Sequence, residues 1–228
     1  MKFIAKITVL AGCCCAFAFA AGAQMGGGMG MMRRPQVGGI WNPVPGQGAA
    51  YEVQRQGGKD TKSQMEIAIV GKDTVEGKDA YWLEFTMDSP KGEGQMVMKS
   101  LIVLDGQNTR TEKMIVQPPG MDPMEMPGQM MARRGNQTQP ADIRTNAEDV
   151  GPESVTTPAG TFDCEHYRAK DGSGDYWVAK NVSPWGLVKY TSKDESMVLV
   201  KVITDAKDKI TGTPKPFNPM GMGRPQSN

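Results

Sequence analysis

The most suggestive pair of side chains in the sequence is Cys164 and His166, two residues apart in a run that alternates like a β-strand. Residues at i and i+2 of a strand point to one face, which these two share with Phe162. A thiol beside an imidazole could act as a nucleophile with its base, or as two metal ligands. Neighbours at this spacing rarely reach in-line geometry, no third group accompanies them, and His166 is the only histidine. We therefore interpret Cys164 as a small apolar residue of a half-buried face and His166 as a hydrogen-bonded side chain.

Methionine is the second unusual feature, with 18 of the 228 residues. Four lie in 25–34, five in 118–134 and two in 218–223. Thioether sulfur is a soft ligand suited to Cu(I), so the middle group could in principle gather one copper ion. That group consists of Met121, Met124, Met126, Met130 and Met131. Because the spacing is irregular and neither His nor Cys joins it, adaptable apolar segments are the simpler interpretation, and copper handling remains the alternative.

Other catalytic signatures are missing from the sequence. The acidic pairs Asp149 with Glu153 and Asp171 with Asp175 fall in turns or at strand ends, where carboxylates usually stay solvated. The glycines at 26–28 belong to a low-complexity stretch and precede no helix, so they do not form a phosphate-binding loop. A single histidine leaves little from which to build a triad. We predict that the protein is not an enzyme and has no catalytic residues, metal site or cofactor.

The N-terminus indicates export. Lys2 and Lys6 precede an apolar run over 7–21, and Ala21-Gly22-Ala23 supplies a small-x-small cleavage site. We predict a signal peptide over residues 1–23 and a location in the periplasm. The run 10–13, Leu-Ala-Gly-Cys, resembles a lipobox, so an outer-membrane lipoprotein anchored through Cys13 is the alternative.

Charge and cysteine content narrow the class of protein further. The formal net charge is +1, and it becomes −1 when the signal and its two lysines are removed. This near-neutral balance argues against nucleic-acid binding, because that function needs a basic face. Removal of the signal leaves Cys164 as the only cysteine, so an internal disulfide is excluded. The remaining length suits one domain that is held together by its own hydrophobic core.

The amino-acid composition divides the chain after the signal peptide into three segments. We predict a disordered Gly/Met-rich segment over 24–48, a β-rich domain over 49–213 and a disordered C-terminal tail over 214–228. Within the domain, 118–140 mixes Pro, Gly and Met without period and is expected to be a mobile loop.

Period-two alternation predicts strands in most of the domain. They are expected at 65–69, 81–87, 95–104, 109–117, 153–157, 161–169, 175–180, 185–191 and 196–205, with turns at 71–79 and 105–108. Only 140–150 has the pattern of a brief helix. Closely spaced strands with few helical intervals favour an antiparallel sheet that curls into all or part of a barrel.

The C-terminal half resembles a known family. The run 155–164, Val-Thr-Thr-Pro-Ala-Gly-Thr-Phe-Asp-Cys, is followed by Tyr-Trp-Val at 176–178 and Pro-Trp-Gly-Leu-Val-Lys at 184–189. This pattern is similar to that of a bacterial envelope domain of unknown function grouped with the LolA/LolB-like lipoprotein carriers. The resemblance covers about 50–205 and implies a mainly β fold, a strongly curved antiparallel sheet forming a half-open barrel. In its best-known members the concave side takes acyl chains.

Together these observations predict a non-catalytic envelope protein that binds or carries a lipid or another hydrophobic ligand. The free energy of binding would come from burial of apolar surface. Residues of one strand face that could line the concavity are Tyr81, Leu83, Phe85, Ile102 and Leu104, although they could equally be plain core. The alternatives are copper handling and a structural interaction module, with an envelope protein as partner, whose concavity is filled by its own side chains.

Overall fold

The computed structural model describes residues 39–56, 61–88, 94–126 and 138–217. Within these ranges the chain forms thirteen β-strands and one short 3₁₀ turn at Ile143–Thr145. The strands are β1 Gly48–Arg55, β2 Thr61–Val75, β3 Lys78–Asp88, β4 Gln95–Asp105, β5 Asn108–Gln117, β6 Met124–Glu125, β7 Thr138–Pro140, β8 Ala147–Thr157, β9 Gly160–Ala169, β10 Asp175–Val178, β11 Leu187–Thr191, β12 Glu195–Ile203 and β13 Lys215–Pro216. The predicted signal peptide lies outside the described residues.

All thirteen strands belong to one sheet, in the order β13-β6-β5-β4-β3-β2-β1-β12-β11-β10-β9-β8, with β7 beside β5. Neighbouring strands are antiparallel except β13 and β6, which pair in parallel. The described strands do not close into a ring, so the sheet is curved and open. The predicted fold class is confirmed.

The curvature is associated with irregular register. Bulges interrupt β12 at Val200, β2 between Ile69 and Gly71, β5 opposite Leu101 and β8 between Asp149 and Gly151. An extra residue on one strand bends it and increases the local right-handed twist. The bulge in β2 lies just before the segment 71–79 that was predicted to be a turn, and β2 instead continues to Val75 before the chain turns at Glu76 and Gly77.

Strand β1 joins the two halves of the sheet. It pairs with β2 on one side and with β12 on the other, although some 150 residues separate it from β12. Tyr51 and Val53 are each 1% exposed, and the Tyr51 hydroxyl donates to the carbonyl of Leu187 at 2.9 Å. The sequence analysis placed no strand here, so the central strand of the sheet was missed.

The sheet has two distinct faces. We call the face of β1–β6 that carries Tyr51, Ile67 and Leu83 the inner face, since these buried side chains join the main core. From the other half of the sheet, Tyr176, Leu187, Val188, Tyr190, Met197 and Leu199 belong to the same core. The opposite side of β2–β5 is the outer face, and it carries Glu66, Glu84 and Lys99.

Residues 204–217, here called the strap, run along the outer face. The Ala206 amide donates to Gly46, the Lys209 amide to Glu84, and the Thr211 amide to Gln117. Lys99 and Asp208 form an ion pair, as do Lys209 and Glu66. The strap ends as β13, which pairs with β6 at the sheet edge.

Parts of the segments expected to be disordered are ordered in the structure. Residues 39–48 are tied to the sheet by the amides of Ile40 and Trp41, which donate to Trp185 and Ala141. The segment 118–140 contributes β6 and β7, and 214–217 contains β13. These short stretches have no periodic pattern of their own. Backbone hydrogen bonds to a neighbouring strand or loop hold each of them in place. The remainder of these segments lies outside the described residues.

Candidate functional site

The inner face of β2–β6 carries apolar side chains in two cross-strand rows. Directly opposed residues of antiparallel strands share a face, so the register defines each row. The first row runs through Tyr51, Met65, Met87 and Met96 on β1–β4, and the second through Ile67, Phe85, Met98, Val116 and Met124 on β2–β6. Members on β1 and β2 are buried, whereas those on β3–β6 are only half-buried.

The rings of Trp41 and Trp185 cover part of this face. Trp41 lies 5.0 Å from Trp185 and 6.3 Å from Tyr81 between ring centroids, and Trp185 lies 6.3 Å from Phe85. Trp41 comes from the segment before β1, which approaches Trp185 so closely that a Cβ on Gly39 would fall 2.0 Å from the Trp185 carbonyl oxygen. The cover therefore extends over β3, next to the exposed half of the rows on β4–β6.

The residues that the sequence suggested as lining have three different environments. Tyr81 and Phe85 lie half-buried under the two tryptophans, while Leu83 and Ile102 are 2% and 7% exposed and belong to the core. Leu104 does not line the concavity: it stands at the β4–β5 turn, 45% exposed. The alternation correctly placed Leu104 on the same face as Ile102. Because the strand ends one residue later, the side chain lies at the end of the sheet and stays exposed.

The methionines that the sequence analysis singled out do not gather into one group. Met121 is 44% exposed, and Met126 is buried against Met114 with Phe217 beside them. Met130 and Met131 lie outside the described residues. Met124 lies in the second row beside Val116. Other methionines of the inner face include Met65, Met87, Met96 and Met98. Sequence reasoning missed them, although the alternation of Met96 with Met98 was a usable signal.

Cys164 and His166 have different bonding partners. Cys164 is 2% exposed, and burial raises the pKa of its thiol to about 11, so the thiolate is scarce at neutral pH. The His166 ring hydrogen-bonds Asp175 at 2.8 Å through Nε2 and stacks on Trp177 with centroids 4.3 Å apart. Trp177 in turn donates from Nε1 to Glu153 at 2.7 Å. Both residues thus match the structural interpretation given to them from sequence.

The outer face contains a buried acid. Glu84 is 3% exposed, and burial raises the pKa of its carboxyl to about 7, although the Lys209 amide donates to it at 3.1 Å. Asp208 adds to this increase through its nearby charge. Burial also opposes ionisation of Asp208, but hydrogen bonds from Lys99 and the Ile210 amide outweigh it and lower the pKa of Asp208.

Two further features bear on function. Among the described residues, no group of three His, Cys, Asp or Glu side chains is placed to hold a metal ion. Over the same ranges, no helix has the length and apolar character needed to cross a membrane.

The solved structures that match this chain include two that are weakly similar to it. One is described as a "putative lipoprotein" from Parabacteroides distasonis ATCC 8503: it is 18% identical, with a TM-score of 0.35, and the match covers 73% of this chain and 100% of that one. The other is described as a "putative exported protein with YmcC-like fold" from Bacteroides fragilis NCTC 9343, at 16% identity, a TM-score of 0.36 and coverage of 73% and 99%. No protein-family model matches the sequence, and neither does any curated protein. This similarity is too low to transfer a ligand or an activity, and the resemblance to lipoprotein carriers stays a prediction.

Proposed function

We propose that this protein is a non-catalytic exported protein of the cell envelope that binds a hydrophobic ligand, such as an acyl chain, on its inner face. The observation that carries this proposal is the row of half-buried apolar side chains Phe85, Met98, Val116 and Met124 across β3–β6. The signal-like N-terminus supports export, with the periplasm as the simplest destination and attachment through Cys13 as the alternative.

The chemistry of the row suits an unspecific apolar partner. Methionine has three rotatable bonds and a polarizable sulfur, so neighbouring methionines can adapt to ligands of different shape. Half-buried apolar side chains still expose surface to water, and covering that surface contributes about 25 cal/mol per Å². Trp41 and Trp185 form one wall of the row, beside Phe85.

Binding of cis-parinaric acid, a fluorescent fatty acid, tests the proposal. The double variant Met98→Gln with Met124→Gln keeps side-chain length but adds polar amides to the row. We expect its affinity to fall about tenfold, since about 1.4 kcal/mol of apolar contact would be lost. The matched control is Val198→Thr, which makes a similar apolar-to-polar change at a half-buried residue of β12 whose side chain points away from the core.

Thermal unfolding of all three proteins shows whether the variants are folded. Equal affinity of the wild type and the Gln double variant, with unchanged melting temperatures, would contradict the inner face as the binding surface. Absence of parinaric acid binding to the wild-type chain would contradict the acyl-chain ligand.

A structural interaction module is the second candidate. It is favoured by the aromatic cover itself, because Trp41 and Trp185 already fill the part of the inner face above Tyr81 and Phe85 with the protein's own side chains. A self-filled face needs no ligand. The same titration separates the two candidates, since a self-filled face predicts no saturable binding by the wild type.

A further inference from the structure

Three methionines lie side by side on neighbouring strands of the inner face. Met65 on β2 is directly opposite Met87 on β3, which is directly opposite Met96 on β4. Met65 is 1% exposed, and Met87 and Met96 are half-buried. None of the three belongs to the Met-rich stretches that drew attention in the sequence.

The register brings the three thioethers within reach of one another. Cβ atoms of directly opposed residues are about 4.5–5.5 Å apart, and each methionine places its sulfur two bonds beyond Cβ. Met65 is held by the core, and rotation of the half-buried Met87 and Met96 side chains can turn their sulfurs toward its thioether above the middle strand without moving the backbone. Met98 stands one position along β4 on the same face, within diagonal reach of Met87.

We propose that Met65, Met87 and Met96 bind one soft monovalent cation of the Cu(I) class through their thioether sulfurs. Neutral, polarizable sulfur selects soft ions, whereas Mg²⁺, Ca²⁺ and Zn²⁺ prefer oxygen, nitrogen or thiolate ligands that this row lacks. A single positive charge also suits a half-buried apolar site better than a double one, because the cost of desolvation rises with charge.

This site is separable from the proposed ligand-binding function. Leucine is apolar and close to methionine in volume, so Met87→Leu with Met96→Leu removes two sulfurs and keeps the surface apolar. We expect that double variant to bind cis-parinaric acid like the wild type. Loss of metal binding with retained fatty-acid binding in the Leu double variant would assign the metal to the first row. Loss of fatty-acid binding with retained metal binding in the Gln double variant would assign the fatty acid to the second row.

The experiment uses the exported chain, without the predicted signal peptide 1–23 and its three cysteines, with ¹³C-labelled methionine methyl groups and Ag(I), a redox-inert ion of the same class. All chains carry Cys164→Ala, because a thiol would also bind silver. We expect the methyl signals of Met65, Met87 and Met96 to shift together at substoichiometric Ag(I). In the double Leu variant the Met65 signal should stop responding, and in the matched control Met114→Leu with Met126→Leu it should respond as before.

Competition of the wild-type chain with bicinchoninate for Cu(I) then tests the ion itself. The proposal is overturned if only methionines outside the row shift with Ag(I), if Met65 responds equally in the double Leu variant, or if the chain cannot compete for Cu(I). Melting temperatures of the Leu variants show that each chain is folded, so a lost response reports on the sulfurs.

Discussion

At the scale of single residues, Glu84 is a carboxyl group that folding removes from water. It is covered by the strap, and its neighbours there are Asp208 and Lys209, with Glu66 and Lys99 on the adjoining strands. Its pKa is about 7 in the folded protein against an ordinary value of 4.5. The folded state therefore holds this proton more tightly than the unfolded chain does.

Ionisation of Glu84 lowers the stability of the folded protein as the pH rises. The stability that protonated Glu84 provides is complete below a pH of about 4.5 and is lost as the pH rises through about 7. Glu84→Gln stays neutral and can still accept from the Lys209 amide. We therefore expect its free energy of unfolding to fall by about 2 kcal/mol less than that of the wild type when the pH rises from 5 to 8. Urea unfolding at several pH values measures this difference.

The control for that measurement is Glu52→Gln, which alters an exposed acid paired with Lys62 at 3.0 Å. Its pH profile should follow that of the wild type, because a surface ion pair contributes little. Parallel profiles for Glu84→Gln and the wild type would show that Glu84 is ionised in the folded protein.

Residue environments were only partly predictable from the sequence. The buried thiol of Cys164 and the hydrogen-bonded ring of His166 followed from their positions on a half-buried strand. The burial of Glu84 did not, because a polar residue between Leu83 and Phe85 normally indicates a solvated face. What buries it is the strap, more than a hundred residues away in the chain, which no local pattern could reveal.

At the scale of elements, the strap is held on the sheet mainly by side chains. Gln117 donates from Nε2 to the Thr211 hydroxyl at 2.8 Å and accepts from the Thr211 amide at 2.9 Å. Apart from its two ends, the strap has no backbone ladder to the strands beneath it. Its attachment is therefore expected to open more readily than the sheet does.

Gln117→Ala tests this expectation. Without the amide, the Thr211 N–H loses its acceptor, and hydrogen exchange at Thr211 and Lys209 should become faster, while exchange in β1 stays slow. The cost to global stability should be about 1–2 kcal/mol at most. Gln64→Ala, at an exposed glutamine of β2, is the matched control and should leave the strap amides unchanged. Unchanged exchange at Thr211 in Gln117→Ala would show that other contacts hold the strap.

Elements were predictable where the turn chemistry was strong. The sequence 105–108, Asp-Gly-Gln-Asn, joins β4 and β5 as expected, and Gly106 has the positive φ of 63° that such a turn requires. Strand β1 was missed because Gly48, Ala49 and Ala50 have weak strand propensity. Its place is fixed instead by pairing with two neighbours, which are tertiary contacts.

At the scale of the whole molecule, Trp41 links three parts of the chain. Its ring contacts Tyr81 on β3 and Trp185 in the loop before β11, while its amide donates to Ala141. Trp41→Ala should therefore destabilise the protein by about 2 kcal/mol and lower the melting temperature by about 4–8 °C. Trp41→Phe, which keeps an aromatic ring, should lose less than half of that.

The same variant tests the cover of the inner face. Removal of the Trp41 ring exposes more of Phe85 and Tyr81, so Trp41→Ala should bind at least as much cis-parinaric acid as the wild type. A melting temperature equal to that of the wild type would mean that the segment before β1 contributes nothing to the fold. The curved open sheet was predictable from strand alternation, but this cover was not, because a lone tryptophan in a Gly-rich stretch has no periodicity.

The placement of β1 has a consequence for how the chain matures. β1 and β12 are among the first and last long strands to be synthesised, yet Gly48 pairs with Ile203, and without β12 the two halves of the sheet are not connected. Contacts of such large sequence separation form late and slowly. A chain threaded through a pore N-terminus first would thus be unable to join the two halves of its sheet until β12 had emerged.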